Sequence, residues 1–272
     1  MIMMALFRRH LPPMSRFRAS MPILIVHVVQ FCVFCTVLAQ TPEYSDHDRL
    51  TYSARNSTLT IACVGDSLTF GSGSSGPIFR NAYPAKLQRT PGFEDYNVHN
   101  YGQGGMCALK LAGKFSYWTT PTFLMALNSE PNIVILMFGT NDAKKYRWNE
   151  IEFKKDYISM IRKFRQLPSN PTIFISIPPP LYSTVGIYGM NATVINEELP
   201  RIIPEIASEC NVKVIDNFNA LGGSALNFTE AYIINKRKPA ETKPNDMCHL
   251  SDLGYSTIAH NVALTLLADR IS

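Results

Sequence analysis

Two hydrophobic patterns alternate along this chain. Short runs rich in apolar and β-branched residues occur at Thr58–Val64, Tyr96–Tyr101, Ile133–Phe138, Thr172–Ile177 and Val212–Ile215. Each predicts a strand. The unbroken apolarity of Ile133–Phe138 marks it as a central parallel strand covered on both faces. Between these runs, apolar residues recur at helical spacing. Ala82–Gln88 predicts a short helix with Pro84 in its first turn. Asn149 and Glu152 form a capping pair ahead of Phe153, Tyr157, Ile161 and Phe164, large residues that should face the core. A third helix carries Ile195, Leu199, Ile202, Ile203 and Ile206, and Pro200 and Pro204 must kink or split it. A last helix, capped by Ser251, buries Tyr255, Ile258, Ala259, Val262, Leu266 and Leu267. Strands alternating with helices predict an α/β fold: about five mostly parallel strands with right-handed crossovers, no internal repeat and no second domain.

Composition separates the N-terminus from the rest. Arg8, Arg9, Arg16 and Arg18 precede an apolar run from Pro22 to Ala39, a positive flank and hydrophobic stretch ending in small residues before Gln40. Residues 1–39 therefore read as a secretory signal cut after Ala39, with an uncleaved signal anchor as the alternative. Residues 40–56 form a polar leader and 57–272 the folded domain. The formal charge of +5, less those four arginines, leaves +1. A balance so close to neutral calls for no nucleic-acid partner and no anionic membrane. Sequons at Asn56, Asn191 and Asn227 agree with a secretory route, as N-glycosylation sites outside the cytosol.

Polar and glycine clusters close the strands or open the last helix: Gly65-Asp66-Ser67, Gly102-Gln103-Gly104-Gly105, Gly139-Thr140-Asn141-Asp142 and Asp246-Met247-Cys248-His249. Loops after successive parallel strands share one edge of the sheet, so the first three should converge, and the fourth should join them. Ser67 at a strand-to-helix turn is either an exposed nucleophile or an ordinary helix cap. A serine hydroxyl needs a base, and His249 supplies one if it is neutral. Asp246, three residues earlier, can hold the other imidazole nitrogen. The N–H groups of Ser67 and Gly105 and the Asn141 amide are candidate donors to an oxyanion. Asp66, Tyr182 and Tyr188 are candidate substrate contacts, the two tyrosines on the long loop after the fourth strand. Trp118 and Trp148 could stack on sugar rings or simply pack. Cys107 and Cys248 lie within two residues of these groups and are either a disulfide or free thiols; Cys63, inside a strand, reads as a buried thiol.

The four blocks resemble, in order, those of the SGNH hydrolases, also called GDSL esterases, over roughly Leu59 to the C-terminus. The resemblance implies a flavodoxin-like three-layer α/β/α sandwich and ester hydrolysis without metal or cofactor. It also implies Ser67, Gly105, Asn141 and His249 as the name-giving residues, with Asp246 orienting the histidine. Gly104, Met247 and Cys248 depart from the usual family residues without removing a catalytic group. The implied protein is a monomeric secreted serine esterase acting through an acyl-enzyme on a small-molecule or glycan ester, short-chain acyl such as acetyl. A lysophospholipase or lipase is the alternative within hydrolases. A non-catalytic binding module on the same scaffold is the alternative of another class. No Gly-x-Ser-x-Gly elbow occurs, which argues against the α/β-hydrolase fold.

Overall fold

A computed structural model describes residues 59–183, 187–223, 233–234 and 246–271. The expected signal segment, the leader and the sequons at Asn56 and Asn227 lie outside the described residues. Among the described residues, no helix is long and apolar enough to cross a membrane.

Five strands form a wholly parallel sheet: β1 (Leu59–Gly65), β2 (Tyr96–Gly102), β3 (Ile133–Met137), β4 (Thr172–Ile177) and β5 (Lys213–Asp216), in spatial order β2-β1-β3-β4-β5. Each expected strand is present, with ends shifted by a residue or two. Within the apolar runs, alternate residues serve opposite layers. Ala62, Val64, Val134, Leu136, Ile173 and Ile175 enter one core with α4 (Pro121–Asn128), α5 (Glu150–Arg165) and α6 (Leu199–Cys210). Ile61, Cys63, Ile135, Met137 and Phe174 enter the other with α3 (Tyr83–Gln88) and α8 (Asp252–Ile271). Sheet between two helical layers is the three-layer α/β/α sandwich expected.

The helices show why these segments fold. On α5, Phe153, Tyr157, Ile161 and Phe164 are all fully buried, and burying each such side chain contributes about 1.5–3 kcal/mol. Asn149 caps that helix by accepting the Glu152 N–H at 3.0 Å. The proline-bearing helix is split: a π-helical turn, Val194–Glu198, runs into α6, with Pro200 in its first turn and Pro204 inside it. Ser251 accepts the Gly254 N–H at the start of α8. The stretch 107–128, with no assigned element in the sequence reading, holds two 3-10 turns, Lys110–Phe115 and Tyr117–Thr119, and then α4. Three-residue turns carry no 3.6-residue period, so a pattern search passes over them.

Strand order reverses direction between β1 and its neighbours: the chain goes from β1 outward to β2, then back across to β3. A crevice opens at such a point, beyond the carboxyl ends of β1 and β3. The short helix α1 (Ser67–Phe70), directly after β1, forms its floor, and α2 (Ile78–Asn81), next in the chain, packs against α3 and α8. The other side is made by β6 (Ile233–Ile234) paired antiparallel with β7 (Asp246–Leu250), after α7 (Asn217–Ala220). A shallow groove of about 510 Å³ between β5 and α8 starts from Lys213, at the opposite end of the strands from this crevice.

Candidate active site

Ser67 is the first residue of α1, held there by Asp66, whose Oδ1 accepts the Leu68 N–H at 2.9 Å. Asp66, not Ser67, is thus the cap, and the serine hydroxyl is released for another partner. That partner is His249 on β7, whose Nε2 lies 3.0 Å from Ser67 Oγ. Asp246 Oδ2 meets His249 Nδ1 at 2.7 Å, while its Oδ1 accepts the Cys248 and His249 N–H groups, each at 3.0 Å. An Asp accepting N–H groups two and three residues ahead is an Asx-type turn, and it aims the imidazole. Burial pushes the Asp246 carboxyl up, but the bonds from the His249 ring and the two N–H groups outweigh it, lowering it to about 2. It stays ionised, so Nδ1 keeps its proton and the Nε2 lone pair faces Ser67.

The remaining donors sit on the opposite wall. Gly102 closes β2 where an added Cβ would fall 2.1 Å from the Phe70 backbone nitrogen, so only glycine lets β2 and α1 approach this closely. Gly105 has φ +79°, the left-handed region, on a loop tied down by Gln103 N–H donating to Gly65 O at 3.0 Å. Asn141, buried after β3, donates through Nδ2 to Asp66 Oδ2 at 3.2 Å. Its amide is therefore fixed on the serine side of the crevice. Asp142, to which sequence reasoning gave no role, is fully buried and accepts the Leu109 N–H at 2.9 Å and the Gly139 N–H at 3.1 Å. It staples the Asn141 loop to the segment that follows Gly105. Burial raises the Asp142 carboxyl to about 7 and the Asp66 carboxyl to about 6. Its place in the Gly139–Asp142 block was the only signal available.

Two expected substrate contacts, Tyr182 and Asp66, are corrected, and the alternatives left open at the tryptophans and cysteines are resolved. Tyr182 is 4% exposed, with its hydroxyl donating to Leu221 O at 2.7 Å, and belongs to the core rather than a substrate wall. Asp66 is buried with both oxygens committed to Leu68 and Asn141, so it positions the site and does not present itself to substrate. Trp118 donates to Ala108 O and Trp148 to Glu198, and both rings pack on core phenylalanines. Cys107 and Cys248 are free, buried thiols rather than a disulfide. The sulfurs have different neighbours: Cys107 Sγ receives Arg147 Nη1 at 3.3 Å and Cys248 Sγ lies 3.9 Å from Met190 Sδ. Cys63 is a buried thiol, as expected. Tyr188 does reach the site. It is 53% exposed, its ring centroid is 6.1 Å from that of His249, and its hydroxyl donates to Asp246 Oδ2 at 3.3 Å. Asn191, at the described sequon, accepts the Thr193 N–H through Oδ1.

Fold and site define a three-layer α/β/α protein carrying a hydroxyl–imidazole–carboxylate relay at the carboxyl edge of its sheet. The chain belongs to the GDSL-like lipase/acylhydrolase family, a family of ester-hydrolysing enzymes whose model matches residues 63–256. It is similar to an acetylxylan esterase from Xylanibacter ruminicola, 28% identical over 180 residues; the match covers 60% of this chain and 36% of that protein. The chain thus spans about a third of that relative's length. A carbohydrate acetylesterase from Sinorhizobium meliloti shares the fold at 20% identity and TM-score 0.58, covering 77% of this chain and 99% of its own. A member of the lipolytic G-D-S-L family from Veillonella parvula does so at 19% identity and TM-score 0.52, covering 77% and 98%.

Proposed function

We propose that this chain is a secreted serine esterase that removes short acyl groups, acetyl foremost, from a carbohydrate through an acyl-enzyme. The observation that carries the reading is the unbroken relay from Asp246 Oδ2 through His249 to Ser67 Oγ, at 2.7 and 3.0 Å. His249 Nε2 takes the Ser67 proton as Oγ attacks the ester carbonyl. The negative charge that develops on the carbonyl oxygen is met by the N–H groups of Ser67 and Gly105 and by Asn141 Nδ2. Each such donor contributes roughly 3–4 kcal/mol to the transition state. The imidazolium, stabilised by Asp246, returns its proton to the departing alcohol, leaving the acyl group on Ser67. Water then attacks, giving a proton to His249, which hands it to Ser67 Oγ as that oxygen departs and the acid is released. The carbohydrate assignment draws support from what the relatives from Xylanibacter and Sinorhizobium are named to act on. Secretion rests on the composition of residues 1–39, and the folded domain on residues 57–272.

Hydrolysis of p-nitrophenyl acetate, butyrate and octanoate by the purified protein, beside Ser67→Ala, tests this. Turnover that falls steeply with chain length and vanishes in the variant is the expected result. A preference for octanoate points instead to a lipase. No turnover, together with no labelling of Ser67 by a fluorophosphonate, refutes the esterase and leaves a binding module.

A further inference from the structure

Arg147 lies six residues after Asn141, on the loop between β3 and α5, and its contacts reach toward both sides of the crevice. On the oxyanion side, an added Cβ on Gly105 would lie 3.9 Å from the Phe115 ring, and the Arg147 guanidinium stands 4.2 Å from that ring's centroid. On the histidine side, the same guanidinium is 4.9 Å from the Tyr146 centroid. Tyr146 in turn faces Gly189, whose neighbour Tyr188 stands beside His249, and Lys145 N–H donates to Gly189 O at 3.1 Å. Arg147 thereby stacks against two aromatic rings, with Nη1 on the Cys107 sulfur at 3.3 Å. That sulfur brings no compensating charge, since burial pushes the Cys107 thiol up to about 12.

No carboxylate among the described residues pairs with this arginine. Among the described residues, none of the ion pairs involves Arg147, Lys114, Lys144 or Lys145, although all four belong to the same two loops. The acids nearest in the site are already engaged: Asp66 and Asp142 are buried on their own donors, and Asp246 holds His249 and Tyr188. A half-buried guanidinium held by stacking, with most of its planar fork unclaimed, is arranged to take a carboxylate edge-on. Tyr146, 71% exposed, and Tyr188 offer ring faces beside it. Exposed aromatic faces next to a carboxylate-binding fork fit a sugar acid.

We infer that Arg147, with Phe115 and Tyr146, forms a subsite for the carboxylate of a uronic acid unit in the alcohol part of the ester. The natural substrate class is then an O-acylated acidic polysaccharide. This inference rests on the esterase reading. Any contact it makes exists before and during the reaction alike, so it acts through KM more than kcat.

The test uses O-acetylated oligogalacturonates and the same oligosaccharides with their carboxyl groups reduced to alcohols. The ratio of the two kcat/KM values is measured within each protein, so a general loss of activity or folding cancels. The intact enzyme should favour the acidic member by about tenfold or more at low salt, and the preference should shrink as salt screens the pair. Arg147→Met should bring the ratio to parity, and Arg147→Lys, which keeps charge without the fork, should fall between. Parity in the intact enzyme, or an unchanged ratio in Arg147→Met, overturns the subsite. Calorimetric titration of Ser67→Ala and of Ser67→Ala/Arg147→Met with unacetylated trigalacturonate reads the same contact without turnover. Weaker binding by the double variant upholds the subsite even where fluorophosphonate labelling of Ser67 fails and the esterase reading falls; equal binding overturns it.

Discussion

Asp66 and Asp246 both lie beside the Ser67–His249 pair, one residue before the hydroxyl and three before the imidazole. Asp66 is sealed under α1 and has one backbone N–H and one side-chain amide for partners, so burial dominates and raises it to about 6. Asp246 sits on a two-stranded edge, with two backbone N–H groups and the His249 ring, and is lowered to about 2. The same side chain is thus set to two jobs by donor count and burial. The ionised one faces the imidazole that must carry positive charge during the reaction, and the buried one fixes the Asn141 amide.

Replacing each partner separates those jobs. Asp246→Asn keeps the shape but removes the charge and offers an N–H where His249 Nδ1 needs an acceptor. We expect kcat on p-nitrophenyl acetate to fall by about 10³–10⁴, the cost of a wrongly held tautomer; a loss under tenfold would show that Asp246 does not orient His249. Asn141→Ala removes one oxyanion donor while leaving the relay intact, and should lower kcat by about 10²–10³ with KM little changed.

The smallest effect concerns stability rather than rate. Asp66 binds its proton more tightly folded than unfolded. Its favourable contribution is therefore complete below about pH 4 and lost as pH rises through about 6. Urea unfolding from pH 4 to 7 should show Asp66→Asn losing roughly 2 kcal/mol less than the parent protein across that window. Asp142, raised to about 7, leaves a residual slope of the same sign in both. Asp246 contributes oppositely: its stabilisation is present above about pH 4 and lost only as pH falls through about 2. Identical slopes for parent and Asp66→Asn would mean that Asp66 is hydrated rather than sealed.

The sequence by itself determined the strands, most of the larger helices and the residues of the relay. Period and strand-end chemistry are local properties, and Ile133–Met137 or the Phe153–Phe164 face is legible without knowing its neighbours. The tertiary structure decided what distant segments do to a side chain. Tyr182 is drawn into the core by a carbonyl 39 residues away, so a tyrosine that reads as exposed is not. The thiols of Cys107 and Cys248 find Arg147 and Met190 in place of each other. Asp142 and Arg147 gain their roles only when the Gly105 loop, the Asn141 loop and the Tyr188 loop meet at one edge of the sheet. Spacing along the chain fixes which groups are available; burial and the choice of long-range partners, which depend on packing, decide which of them face the substrate.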